Sequence, residues 1–156
     1  MKKFIATTTI NPPTEALLKY ASMSDWHVVV SGDLITPHEA YENIDNVTYI
    51  HPTQQESEYP ELSKLIGWKC IQRRNFAILE AYKQGADIIA IIDDDNIPYD
   101  DWGQDIYLNQ PTKVKMYHTD DVAFDSIGAL NEHKELWHRG CPLERVPFRN
   151  YENSSE

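Results

Sequence analysis

Phe4 to Thr9 is the first clear pattern in the chain, an apolar and β-branched run stopped by Asn11-Pro12-Pro13. It predicts a strand, and Thr14 is placed to cap a helix through Leu17, Leu18 and Tyr20. Trp26 to Val30 is a second apolar run, as of a strand buried on both faces, and Ser31-Gly32-Asp33 ends it at a turn. Val47 to Ile50 predicts a weaker third strand. From Leu62 to Gln84, apolar residues at Leu65, Trp68, Ile71, Ile78, Leu79 and Tyr82 recur at helical spacing, and Gly85 is placed to end that helix in a left-handed conformation. Asp87 to Ile92 follows, the most apolar run in the protein and the candidate for a central parallel strand. Beyond Pro98 the pattern turns irregular. Val114 to Tyr117 predicts a short strand, Glu132 to Trp137 a helical turn, and residues 150–156 a frayed polar tail. The alternation predicts an α/β fold, a mostly parallel sheet flanked by helices, as a single domain over residues 1–149 without repeats or an internal linker.

Composition fits that reading and narrows the function. The 156 residues are 41% hydrophobic and 25% charged, enough apolar material for one core. Fourteen Lys and Arg stand against 25 Asp and Glu, a formal net charge of −11. So acidic a chain lacks the basic surface needed to track nucleic acid or dock on an anionic bilayer. Cys70 and Cys141 form neither a CxxC pair nor a metal-ligand spacing, so both are expected to be free thiols in a reducing compartment. Met-Lys-Lys and the Thr-rich run after it do not make a signal peptide, and no stretch approaches the roughly 18 apolar residues of a membrane span. The expected location is the cytoplasm.

The acid is concentrated. Asp87, Asp93, Asp94, Asp95, Asp100, Asp101 and Asp105 lie in a segment, Gln84 to Thr112, without a single Lys or Arg. Asp93-Asp94-Asp95-Asn96 falls where a parallel strand ends, the place where open α/β sheets gather ligands. On an extended chain Asp93 and Asp95 point one way and Asp94 the other. Two carboxylates ~4 Å apart repel by about 4 kcal/mol at an effective dielectric of 20, a conflict that a divalent cation removes. Hard oxygen ligands of this kind suit Mg²⁺ or Mn²⁺. An EF-hand is excluded, because Ile97 and Pro98 occupy the positions that require an oxygen ligand and a glycine. A phosphatase-like loop with Asp93 as nucleophile fits more nearly, and glycine-rich phosphate loops and a GxSxG elbow are absent.

Two further clusters bear on anion binding. Arg73-Arg74-Asn75 lies on the predicted helix before the aspartate strand, where an arginine can reach a diphosphate or the aspartates themselves; otherwise the two arginines are surface residues. Trp137-His138-Arg139-Gly140-Cys141-Pro142-Leu143-Glu144 sets a cation beside a Gly-Cys-Pro turn.

The order TTTINPPTEAL, WHVVVSGDLITP, RRNFAILEAYKQGADIIAIIDDDN and WHRGCPLE resembles the STELLO-type glycosyltransferase domain over most of Lys3 to Glu144. It is similar, more distantly, to the reversibly glycosylated polypeptides that act as UDP-arabinopyranose mutases. The resemblance departs at His138 and Cys141, where that family usually has Pro and an aromatic residue. It implies a GT-A fold, a Rossmann-like sheet binding a nucleotide sugar with a DxD-bound metal, here compact or truncated on the acceptor side. On that implication Thr8, Thr9, Asn11 and Asp33 hold the base and ribose. Arg74 approaches the nucleotide or diphosphate, Asp93 the ribose or sugar, Asp95 the metal, and Arg139 the sugar or diphosphate. Asn75 and Asp94 join the nucleotide-sugar contacts, and Asp93 shares the Mn²⁺ or Mg²⁺ with Asp95.

The expected function is therefore metal-dependent transfer of a sugar from a nucleoside diphosphate, a UDP-sugar first, to a glycan, lipid or protein acceptor. Inversion requires a carboxylate base, for which Asp120, Asp121, Asp125 and Glu144 are candidates, with Asp121 and Asp125 taken with Arg139 as the catalytic set. The alternatives are a nucleotide-sugar mutase, a non-catalytic binding module and a phosphotransferase acting through Asp93.

Overall fold

The β-branched and apolar runs pair into one parallel sheet: β1 (Lys3–Thr9), β2 (Trp26–Gly32), β3 (Val47–Ile50) and β4 (Ile88–Ile91), in the order β3-β2-β1-β4. A computed structural model describes residues 1–130 and 135–148, and residues 152–154 as backbone. In β2 the consecutive Val28, Val29 and Val30 are all fully buried, so both faces of the sheet are covered there, as an uninterrupted apolar strand requires. The apolar run at Ile88–Ile91, expected at the centre, instead ends the strand order. Among the described residues it pairs with β1 alone, and Ile91 is 55% exposed. Its high apolarity reflects partial cover on both faces, not a central position.

Thr14 caps α1 (Glu15–Ala21) by accepting a hydrogen bond from the Leu17 N–H at 3.1 Å, and α1 packs on β2 through a face that includes the buried Leu17 and Tyr20. The long helix expected over Leu62–Gln84 does not form. In its place stand α3 (Pro60–Ile66), preceded by α2 (Pro52–Glu58), then a 3₁₀ turn at Ile71–Arg73 and α4 (Arg74–Lys83). Gly67 at φ 72° and Lys69 at φ 60° take left-handed backbone that no α-helix continues through. The helical face was also misplaced, since Leu65, Ile71 and Tyr82 are exposed. Instead α4 buries Phe76, Ala77 and Ala81 in one cluster with Phe4 and Ala6 of β1, Val29 of β2 and Ile50 of β3. Two alanines let the helix approach the sheet closely, and burying Phe76 contributes roughly 1.5–3 kcal/mol. Gly85, at φ 79°, ends α4 as its position predicts.

Arg73 and Arg74, adjacent in sequence, part company. Arg73 is fully buried. Its Nε donates to the Gly67 carbonyl at 2.7 Å, Nη1 to Gln55 Oε1 and Ser63 Oγ at 3.0 Å each, and Nη2 to the Ser63 carbonyl at 3.3 Å. The guanidinium lies 3.2 Å from the centroid of the Trp68 ring, and burial holds its pKa below the ordinary arginine value. It is a structural cation that fixes the chain from α3 to α4.

The chain divides into two compact units, Met1–Gln104 and Asp105–Glu156. Within the second, β5 (Met116–His118) starts two residues later than the expected strand and pairs antiparallel with β6 (Glu152–Ser154). This unit also holds α5 (Ser126–Leu130) and a 3₁₀ turn at Leu143–Phe148. The expected helical turn over Glu132–Trp137 and the expected tail lie partly outside the described residues. Both cysteines are free thiols. No helix among the described residues is long and apolar enough to cross a membrane.

Candidate functional site

Strand order selects the place to look. The chain passes from β1 through β2 to β3, then crosses to the other side of β1 for β4, so the sheet's topological switch lies between β1 and β4. At the carboxyl ends of these two strands, Thr7 Oγ1 donates to the Ile92 carbonyl at 3.1 Å. Thr9 Oγ1 donates to Asp94 Oδ2, which also accepts from Asn11 Nδ2 at 3.1 Å, and Thr14 Oγ1 donates to the Asp94 carbonyl. Tyr41 donates to the Asn11 carbonyl at 2.8 Å from behind. Asp94 is thus the member of the acidic triplet that organises the loop after β1.

Asp33, at the end of β2, is 2% exposed. Its Oδ1 accepts from the Leu34 N–H and its Oδ2 from the Lys69 N–H, both at 2.7 Å. These groups surround a cavity of about 230 Å³, lined by Thr8, Thr9, Asn11, Asp33 and Asp94. Five residues singled out in the sequence meet in one cleft. Ile10, Lys69, Cys70 and Ile71 complete the lining, and none of these was anticipated. Gly67 was the available signal, a helix breaker inside an otherwise helical pattern. Hydroxyls and carboxylates meet there with the exposed side chains of Ile10 and Ile71, a combination suited to a flat ring with a polar edge.

Arg74 leaves the core side of α4 and pairs through Nη2 with Asp93 Oδ1 at 2.6 Å; the side chains are 16% and 55% exposed. Its Nε is buried without a hydrogen-bond partner, a donor left over for an incoming oxygen. Asn75 is exposed on the first turn of α4. The chain turns at Asp94-Asp95, so strand alternation stops at Ile91 and the expected pairing of Asp93 with Asp95 does not rest on an extended backbone. Asp95 is exposed and makes no hydrogen bond or ion pair among the described residues. No three His, Cys, Asp or Glu side chains converge among the described residues. Mg²⁺ and Mn²⁺ sites use one or two carboxylates and complete the shell with water and substrate phosphates; of the expected pair, Asp95 is exposed and unpaired among the described residues, and Asp93 Oδ1 is taken by Arg74.

Asp121, Asp125 and Arg139 belong to the second unit. Asp121 and Arg139 are exposed. Asp125 is 1% exposed, and its Oδ1 accepts from the Gly128 N–H at 3.1 Å and the His138 N–H at 2.6 Å. This carboxylate joins the start of α5 to the turn that carries Arg139, a positioning geometry instead of the solvent access a base needs.

Beside the cavity, Tyr41 and Tyr49 stack with ring centroids 4.8 Å apart, and burial pushes both hydroxyls up to about 12. His38 Nδ1 lies 2.6 Å from the Tyr49 hydroxyl; burial first, and the neighbouring His51 second, lower the His38 pKa.

Fold and site together define an α/β protein whose four-stranded parallel sheet has a Rossmann-like strand order, with a cleft of mixed polar and apolar lining at its switch point. Compared with known families and curated proteins, the chain matches no family model and no curated protein.

Proposed function

We propose that this chain is a metal-dependent glycosyltransferase of GT-A fold that takes its sugar from a nucleoside diphosphate, a UDP-sugar first. The observation that carries the reading is the meeting of Thr8, Thr9, Asn11, Asp33 and Asp94 in one cleft at the switch point, with the Arg74–Asp93 pair at the end of the same strand. On this reading the base lies between Ile10 and Ile71, and its polar edge meets Asn11 and Asp33. Arg74, whose Nε–H has no partner among the described residues, binds a diphosphate oxygen and offsets charge that grows on the leaving group. A divalent ion held by Asp93 and Asp95 would supply Lewis-acid stabilisation of that diphosphate. The acceptor is a glycan, a lipid or a protein.

A second reading is a nucleotide-sugar-binding module without turnover. It is favoured by the enclosure of Asp125, one of the candidate bases, in a backbone-capping role. Calorimetry with UDP, a panel of UDP-sugars and Mn²⁺, run beside an assay for released UDP, tests both. Binding that Asp95→Ala weakens, with UDP release in the presence of acceptor extracts, is the expected result. Binding without release selects the module. If no nucleotide or nucleotide sugar binds with metal present and Asp95→Ala changes nothing, both readings are wrong.

A further inference from the structure

We infer that Lys69 is an anion-binding residue of the cleft, positioned by Asp33, and that it meets the phosphate end of the ligand. The inference deepens the nucleotide reading above and rests on it for the identity of that ligand. Lys69 takes a left-handed backbone conformation, φ 60°, which is uncommon for any residue other than Gly, Asn or Asp. The conformation is held by buried groups on both sides of it. Its N–H donates to Oδ2 of the buried Asp33, and two residues earlier the Gly67 carbonyl accepts from the buried Arg73. These bonds hold the loop in an arrangement in which Lys69 lines the cavity.

The ammonium group is unspent. Lys3, Lys19, Lys83 and Arg74 of the same unit have acidic partners, at 3.9, 2.8, 2.9 and 2.6 Å, and Lys2 donates to the Gln84 carbonyl at 3.1 Å. Lys64, like Lys69, makes no side-chain hydrogen bond or ion pair among the described residues, but it does not line this cavity. Lys69 makes no side-chain hydrogen bond or ion pair among the described residues, in a chain of net charge −11. Neither carboxylate that shares its cavity pairs with the Lys69 ammonium: Asp33 accepts a backbone N–H on each oxygen, and Asp94 Oδ2 accepts from Thr9 and Asn11. An exposed, unpaired lysine that lines the cleft is available to an oxyanion. Phosphate or diphosphate is the class that fits.

The test is calorimetric titration of the full chain in Mg²⁺ buffer with UDP, uridine and inorganic pyrophosphate, for the wild type, Lys69→Gln, Lys69→Arg and Asp33→Asn. Losing one charge-assisted contact is expected to weaken UDP and pyrophosphate about ten- to hundredfold in Lys69→Gln. Uridine binding is expected to stay unchanged, Lys69→Arg to recover most of the loss, and Asp33→Asn to reproduce part of it. Undiminished UDP binding by Lys69→Gln, or an equal loss of uridine, overturns the inference and leaves the nucleotide reading standing. Pyrophosphate binding that depends on Lys69, with no gain from the nucleoside, supports the anion site and defeats the nucleotide reading. A wild type that binds none of the three defeats both.

Discussion

Replacing Arg73 with Met keeps an unbranched stem over Trp68 and removes the guanidinium, so the cost is set by the acceptors left behind. Ser63 Oγ is a hydroxyl that can turn, and the Ser63 carbonyl keeps its bond from the Gly67 N–H at 3.0 Å. Gln55 Oε1 and the Gly67 carbonyl lose their principal donors. Each buried acceptor left unsatisfied costs about 1–3 kcal/mol. Against this stands the desolvation of a buried cation that makes no ion pair among the described residues, which the substitution relieves. The net expectation is a loss of about 3 kcal/mol. At an m value of about 2 kcal/mol/M, the urea midpoint falls by about 1.5 M with m unchanged. Urea titration followed by circular dichroism measures this. A loss below about 1 kcal/mol would refute the reasoning, because the four contacts would then be no better than the desolvation they offset.

Gly32→Ala places a Cβ against the Tyr49 ring and hydroxyl, which are held by Tyr41 and His38; overpacking is expected to cost about 1–3 kcal/mol, read as a lowered thermal midpoint. A second expectation concerns acid. The folded-state pKa of His38 lies below 6.5, so the unfolded chain takes up the proton first as pH falls. The stabilising contribution is complete above about pH 6.5 and is lost as pH drops through the folded value. Urea midpoints collected from about pH 7.5 down to about pH 5 should show a decline that His38→Gln makes shallower, and parallel curves for the two proteins would sink the assignment.

What was legible in the sequence was local chemistry. Strand β1, the Thr14 cap and the left-handed Gly85 each depend on a few adjacent residues, and each occurs where the pattern puts it. For the cleft, the strand-end position pointed to the aspartate cluster that includes Asp94, whereas Thr8, Thr9, Asn11 and Asp33 were expected only from the family resemblance; all five line one cavity. Long-range bonds decided the rest. Leu65, Trp68 and Ile71 keep a helical phase on paper, but Arg73 and Asp33 hold the loop between α3 and α4 in a shape that periodicity cannot express. The small residues Ala77 and Ala81 mark the true face of α4, and a hydrophobicity count undervalues both. The rank of β4 in the sheet was hidden because an apolar run reports burial, not neighbours.

The hydroxyls of Thr7, Thr9 and Thr14 all reach partners 80 to 85 residues later in the chain. Such sequence-distant contacts carry a loop-closure cost before they contribute anything. The strands β1, β2 and β3 and the helix α1 are complete by residue 50, yet the loop after β1 has no carboxylate to close on until Asp94 has been synthesised. During synthesis the scaffold therefore precedes the cleft, and a ribosome-stalled chain ending just before Asp94 carries all four strands of the parallel sheet and no finished site.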